Sequence, residues 1–244
     1  MVCAFGGWND AAEAATSAAT FIAASTGASR FAHLDPEDFY DFQATRPQIS
    51  LVEGEAREIT WPTVEIASAR VRRAPRDLVI VSGPEPSMRW RTFCESVIDL
   101  AEALDVQMVI SLGALLADVA HTRPVPMVGI TSDEALAERT SVTPPSYEGP
   151  TGVTGVLHGA FEEAGIPAVS IWASVPHYVA AAPNPKASLA LVRKVESIAG
   201  VSVDASDLET AAAEAELEAE EDVPSADSLA RDFQRFLNQR GDES

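Results

Sequence analysis

Apolar and polar residues follow two rhythms along the chain, and the rhythms divide it into strands and helices. Val2-Cys3-Ala4-Phe5 is a short apolar run that ends in Gly6-Gly7-Trp8-Asn9-Asp10 and gives way to an alanine-rich stretch reaching Gly27. That order predicts a strand, a glycine turn and a helix. With Asp10 as the helix N-cap, Glu13 falls at the capping-box position. Between Ser29 and Arg73 the rhythm has period two, in Ile49 to Val52, Glu58 to Trp61 and Val64 to Val71. Half-exposed antiparallel strands and a hairpin-bearing sheet edge are expected there.

From Asp77 to Gly83 the run is continuously apolar, as in a strand covered on both faces. Trp90, Phe93, Val97, Ile98, Ala101 and Leu104 then recur at helical spacing, and a second apolar strand runs from Val106 to Leu112 into a small-residue turn. Further along, the pattern predicts a strand over 127–131, a short helix over 133–139 and a helix opening at Thr151-Gly152 with Thr151 as its cap. A strand follows from Ala168 to Ala173, then a proline-rich loop at 182–185 and a helix from Lys186 to Ile198. Strands alternating with helices predict an α/β fold, a three-layer α/β/α sandwich around a mixed sheet, over residues 1–200. Residues 201–244 read as an acidic helical extension. Its first helix, 207–222, has only Leu208 and Leu217 as large apolar residues; a second, 227–239, sets Leu229, Phe233, Phe236 and Leu237 on one face. A solvated segment and a partner-binding arm both fit.

Charge sharpens this division. The net charge is −20, and residues 201–244 supply half of it, with 13 of the 37 acidic and 3 of the 17 basic residues. Phosphate contacts need clustered Lys and Arg, so nucleic acids and acidic membranes are excluded as partners. No run approaches the eighteen or so apolar residues of a membrane helix, and no signal-peptide order opens the chain; a soluble, cytoplasmic protein is expected. Cys3 and Cys94 are too few for a disulfide framework or a zinc site. Four scattered histidines have no metal-ligand spacing, and no dinucleotide fingerprint, Walker loop or nucleophile elbow occurs. The residues assign no cofactor, metal or catalytic group.

The polar residues after the strand ending at Leu112 carry the most promise. Asp118, His121, Thr122 and Arg123 follow within a few positions, before Pro124, and ligands of open α/β sheets meet the crevice beyond the strands' carboxyl ends. His177 follows another strand toward the same edge. One reading pairs His121 or His177 with Asp118, Glu85 or Glu148 as an acid–base couple. The plainer one has His121 bond a backbone carbonyl and Arg123 a loop carboxylate. Gly6-Gly7 is equally a tight turn or an anion site, and Asn9, Asp10 and Thr151 are caps or anion ligands. Trp90, Trp172, Tyr40 and Tyr178 read first as core. Trp8, between Gly7 and Asn9, has little regular structure to pack within. The candidate ligand or interface site is therefore Gly7, Trp8, Asn9, Asp10, Asp118, His121, Thr122, Arg123, Tyr147, Thr151 and His177.

Together, Gly7-Trp8-Asn9-Asp10-Ala11, the block Gly113 to Val119 with His121-Thr122-Arg123-Pro124, Gly149-Pro150-Thr151-Gly152, Trp172-Ala173 and Val175-Pro176-His177-Tyr178 resemble the proteasome assembly chaperone type 2 family in its actinobacterial branch. Tyr147 and Asn184-Pro185-Lys186 also match, and the resemblance covers roughly residues 2–200. It implies a fold similar to purine nucleoside phosphorylases and related hydrolases, homo-oligomers, and a role in binding or assembling proteasome subunits or another complex. A small-molecule-binding enzyme on the same fold is the alternative. Some relatives dock on the proteasome through a terminal hydrophobic-tyrosine-any motif; this chain ends Asp242-Glu243-Ser244, which does not match it. Relatives of this branch look longer at the start, so an N-terminal segment is expected before Val2.

Overall fold

In the computed structural model, residues 1–52, 56–71, 74–140, 143–144 and 146–222 are described. The chain runs β1 (Val2–Gly6), α1 (Ala14–Ser25), β2 (Ser29–His33), α2 (Pro36–Phe39), β3 (Gln48–Val52), β4 (Ala56–Thr60), β5 (Glu65–Ala69), β6 (Leu78–Pro84) and α3 (Trp90–Ala103). It continues through β7 (Val109–Ala117), β8 (Met127–Ile130), α4 (Glu134–Thr140), α5 (Val153–Glu163), β9 (Ala168–Pro176), α6 (Pro185–Ala199) and α7 (Ser206–Asp222). The seven-stranded sheet has the order β2-β5-β6-β1-β7-β9-β8. Its inner strands β6, β1, β7 and β9 are parallel, while β5, β2 and β8 join antiparallel at the edges. The continuous apolar runs thus fill the centre and the alternating ones the margin, as burial on two faces or one requires.

Alternate residues of each inner strand feed two cores. Val2, Ala4, Ile110, Leu112, Val169 and Ile171 pack against α1 and α6, whereas Cys3, Phe5, Val81 and Val109 pack against α3 and α5. This is the expected three-layer α/β/α sandwich around a mixed sheet. The β3–β4 hairpin is also present, but it forms its own two-stranded sheet instead of extending the edge.

Two local expectations are corrected. Gly113 to Ala117 continue β7 instead of turning, because β9 pairs with them through Pro176. Gly113 is needed in that register: a Cβ there would lie 2.5 Å from the ring of Trp172, its cross-strand neighbour. The capping box is not formed either. Ala12 and Glu13 take left-handed backbone angles (φ 52° and 54°), which kink the chain and turn Glu13 away from the box position.

The acidic helix α7 packs on α6 despite its low apolar content. Its alanines do this work, with Ala212 and Ala219 buried, since small side chains allow close approach. Ion pairs flank the contact: Arg193 with Glu209, and Lys186 Nζ with Glu216 Oε1 at 2.9 Å. The second predicted helix, 227–239, lies outside the described residues. Among the described residues no helix is long and apolar enough to cross a membrane.

Candidate functional site

Because β6, β1, β7 and β9 are parallel, the loops that follow them open at one edge of the sheet. The loop after β1 makes a tight reversal at Gly7, whose φ of 122° favours glycine. The Asp10 N–H donates back to the Gly7 carbonyl at 3.1 Å, and the Ala114 N–H of β7 donates to the Asn9 carbonyl at 2.8 Å. Both ends of the loop are thereby fixed to the sheet. Asn9 and Asp10 are buried, while Trp8 immediately before them is 64% exposed, next to an exposed Gly7.

Two carboxylates explain why these polar residues can be buried. Glu85, just beyond β6, accepts from Asn9 Nδ2 at 3.0 Å and from the Val153 N–H, in the first turn of α5, at 2.7 Å. Gly152 makes room for them, since a Cβ there would lie 1.8 Å from Asn9 Nδ2 and 2.5 Å from Glu85 Oε1. Thr151 is consequently not the cap of α5: it is exposed, Gly152 holds the N-cap position, and Glu85 supplies the acceptor from across the sheet. Asp10 serves α1 in the same way from beyond the kink. Its Oδ1 accepts from the Ala15 N–H at 2.6 Å, and Thr16 donates to Oδ2 through its hydroxyl and, at 3.3 Å, its N–H. Burial pushes the Asp10 carboxyl above its ordinary range, against the lowering effect of these hydrogen bonds. Helix N-termini favour anions, and here both are filled by the protein's own side chains.

A second cluster lies beyond β7 and β9. The Tyr178 hydroxyl accepts from the His121 N–H at 2.9 Å and lies 3.0 Å from His121 Nδ1, with the two rings edge to face. The Lys186 ammonium donates to the His121 carbonyl and pairs with Glu216 of α7. His121 thus bonds a tyrosine hydroxyl through its ring and a lysine through its carbonyl; the expected ring contact with a backbone carbonyl is not what holds it. Its Nε2 is buried without a hydrogen-bond partner among the described residues. His121, Arg123, Ser174, Asn184, Lys186 and Glu216 line a cavity of about 190 Å³ closed on one side by α7. His177 Nδ1 meets Asp118 Oδ1 at 3.1 Å, so one of the considered His–carboxylate couples forms. The Asp118 side chain is 97% exposed, and a polar contact so open to water contributes little.

The eleven candidate residues therefore share an edge and not a single pocket. Gly7 and Asp10 border a groove beside α1, His121 and Arg123 line the cavity under α7, and Asn9 and Thr151 line neither. Thr122, Arg123, Tyr147 and Glu148 are exposed, and the Tyr147 hydroxyl turns back to the Pro150 carbonyl at 2.9 Å. Among the described residues no three His, Cys, Asp or Glu side chains converge as metal ligands do. Lys186, named from sequence only as part of a family match, and Glu216 were not among the candidate site residues. A signal existed for the first: Lys186 and Lys194 are the chain's only lysines, both lie on α6, and each donates to a backbone carbonyl of another element.

The geometry belongs to a known group of proteins. The profile of the PAC2 family matches residues 4–223, through α7. A PAC2 family protein from Streptomyces avermitilis is 47% identical, with 92% of this chain and 96% of that one covered and a TM-score of 0.87. A Mycobacterium tuberculosis protein described as a proteasome-assembly chaperone homologue is 46% identical, with 94% and 98% covered and a TM-score of 0.86. An archaeal proteasome activator from Pyrococcus furiosus shares the fold at 17% identity and a TM-score of 0.70, over 90% of this chain and 92% of that one. No curated protein matches the sequence. With a family profile covering most of its length and two such relatives, the chain belongs to the PAC2 family.

Proposed function

We propose that the protein is an assembly-chaperone-like interaction module, a cytoplasmic homo-oligomer whose sheet carboxyl edge docks on proteasome subunits or another multisubunit complex. One observation carries this reading: Trp8 stands 64% exposed beside the buried Asn9 and Asp10, on a loop tied to the sheet by hydrogen bonds of Asn9. Tryptophan on a rigid mount loses little entropy on binding, and aromatic anchors dominate protein interfaces. Trp8 and Tyr147 form the aromatic part of the docking edge; Thr151, Asp118, Thr122, Arg123 and His177 form its polar rim; Gly7, Asn9, Asp10 and His121 frame it. The 46% identical mycobacterial relative, described as a proteasome-assembly chaperone homologue, supports the choice of partner. The enzyme alternative needs one site for a small anionic or nucleoside-like ligand among Gly7, Asn9, His121, Arg123 and Thr151; His121 and Arg123 line a cavity apart from the Gly7 groove, and Glu85 and Asp10 already occupy the helix N-terminal amides beside the loop.

The test is co-purification. Affinity-tagged protein expressed in its own host retains proteasome α-subunits, or the subunits of one defined complex, through repeated washes. Preparations that hold only the protein itself contradict the reading.

A further inference from the structure

Strands β1 and β6 lie side by side and parallel, yet the connections leaving their carboxyl ends part to opposite faces of the sheet. β1 leads to α1, in the layer of α6, and β6 leads to α3, in the layer of α5. Such a parting opens a crevice between the two strand ends, the place where open α/β sheets take small ligands. Here the crevice is the groove beside α1, of about 610 Å³, with Gly6 and Gly83 of the two strands in its lining. Small-molecule sites run from about 300 to 1,000 Å³. The opposite wall comes from the β3–β4 ribbon, whose cross-strand partners Gln48 and Thr60 both line the groove, followed by Trp61. On the α1 side Glu13, Thr16 and Thr20 line it, spaced by three and four as one helix face requires. Glu13 reaches that wall through the left-handed kink at Ala12 and Glu13, and strain of this kind persists where a side chain is held for a ligand.

The lining defines the ligand. Its charges cancel: Glu65 is paired with Arg30, Asp10 accepts the first amides of α1, and Glu13 and Arg46, one of each sign, have no ion-pair partner among the described residues. An anion would also approach a chain of net charge −20. The hydroxyls of Thr20, Thr45 and Thr60 bond to no other described residue, and each can both donate and accept. Trp61 adds an indole that is 45% exposed and braced by the Phe42 ring at 4.8 Å. A saccharide matches this set, with hydroxyls around its rim for the threonines, Glu13 and Arg46, and C–H groups on its ring face for the indole. We propose that the groove is a binding site for a neutral mono- or disaccharide. Trp8 does not line the groove, so the site is separate from the docking edge and stands without it.

Saturation-transfer NMR on the full chain tests this, with glucose, galactose and maltose as neutral probes and glucose 6-phosphate and glucosamine as charged ones; thermal midpoints check folding. The wild type transfers saturation to at least one neutral probe, and Trp61→Ala binds that probe about fivefold more weakly. Thr20→Arg, on the exposed side of α1, fills the groove and abolishes transfer with an unchanged midpoint. No transfer to any neutral probe overturns the proposal, as does transfer to the charged probes alone. A folded Trp61→Ala or Thr20→Arg that binds as the wild type does overturns it too. Should Trp61→Ala fail to fold, Thr20→Arg decides.

Discussion

Glu85 is the residue on which both the Trp8 loop and the start of α5 depend. Its Oε1 takes two donors from buried residues 68 positions apart on one side, at Val153, and 76 on the other, at Asn9. Glu85→Ala leaves those donors unsatisfied and is expected to cost about 1–3 kcal/mol. Glu85→Gln keeps the acceptor oxygen and loses only the attraction of a charge for the helix terminus, about 0.3–1 kcal/mol. Urea-denaturation midpoints measure both, and equal losses in the two variants would refute the assignment of the main effect to the hydrogen bonds. The loop residues Gly7, Trp8, Asn9 and Asp10 could be read from sequence because their types are the chemistry of a turn after a strand. Glu85 appeared there only as a partner for histidine. Its real partners are distant in the chain, and nothing local to Pro84-Glu85-Pro86 announces them.

At the scale of elements, the sandwich was legible because burial leaves a period in the sequence. The departures have local causes. The kink at Ala12 and Glu13 uses backbone angles that no residue type there betrays, and α7 associates through alanines, which a count of large apolar residues overlooks. Helix α5 holds a further feature that sequence alone could not expose. Thr154 and His158, one turn apart, are both buried against the sheet; among the described residues Thr154 Oγ1 and His158 Nδ1 have no hydrogen-bond partner, nor has Ser111 Oγ of β7. His158 Nε2 lies 3.3 Å from Glu162 Oε1 without hydrogen-bond alignment. Burial lowers the imidazole pKa from 6.5, outweighing the raising effect of Glu162. The unfolded chain therefore binds a proton at higher pH than the folded one, so stability rises with pH across this interval and is lost as pH falls below about 6.5. The thermal midpoint of the wild type is expected to drop further between pH 7 and pH 5 than that of His158→Gln. Parallel pH profiles for the two proteins would contradict the assignment.

For the whole molecule, architecture and charge together favour protein recognition. A chain of net charge −20 is suited to a partner met through a few projecting apolar anchors instead of through phosphate contacts. Its edge carries Trp8 outward while the helix termini behind it are filled by Asp10 and Glu85. Family membership was legible from scattered motifs because they cluster at the ends of parallel strands. The separation of the edge into the Trp8 loop and a cavity under α7 was not, since α7 has no motif to place it there. The central claim is that Trp8 anchors the partner. Equilibrium binding of purified proteasome α-subunits from the same host, measured for the wild type and Trp8→Ala at equal folding stability, tests it most directly. Truncation of an anchor of this kind costs about 2 kcal/mol, roughly thirtyfold in affinity; equal affinity of the two proteins, or no binding by the wild type, contradicts the account.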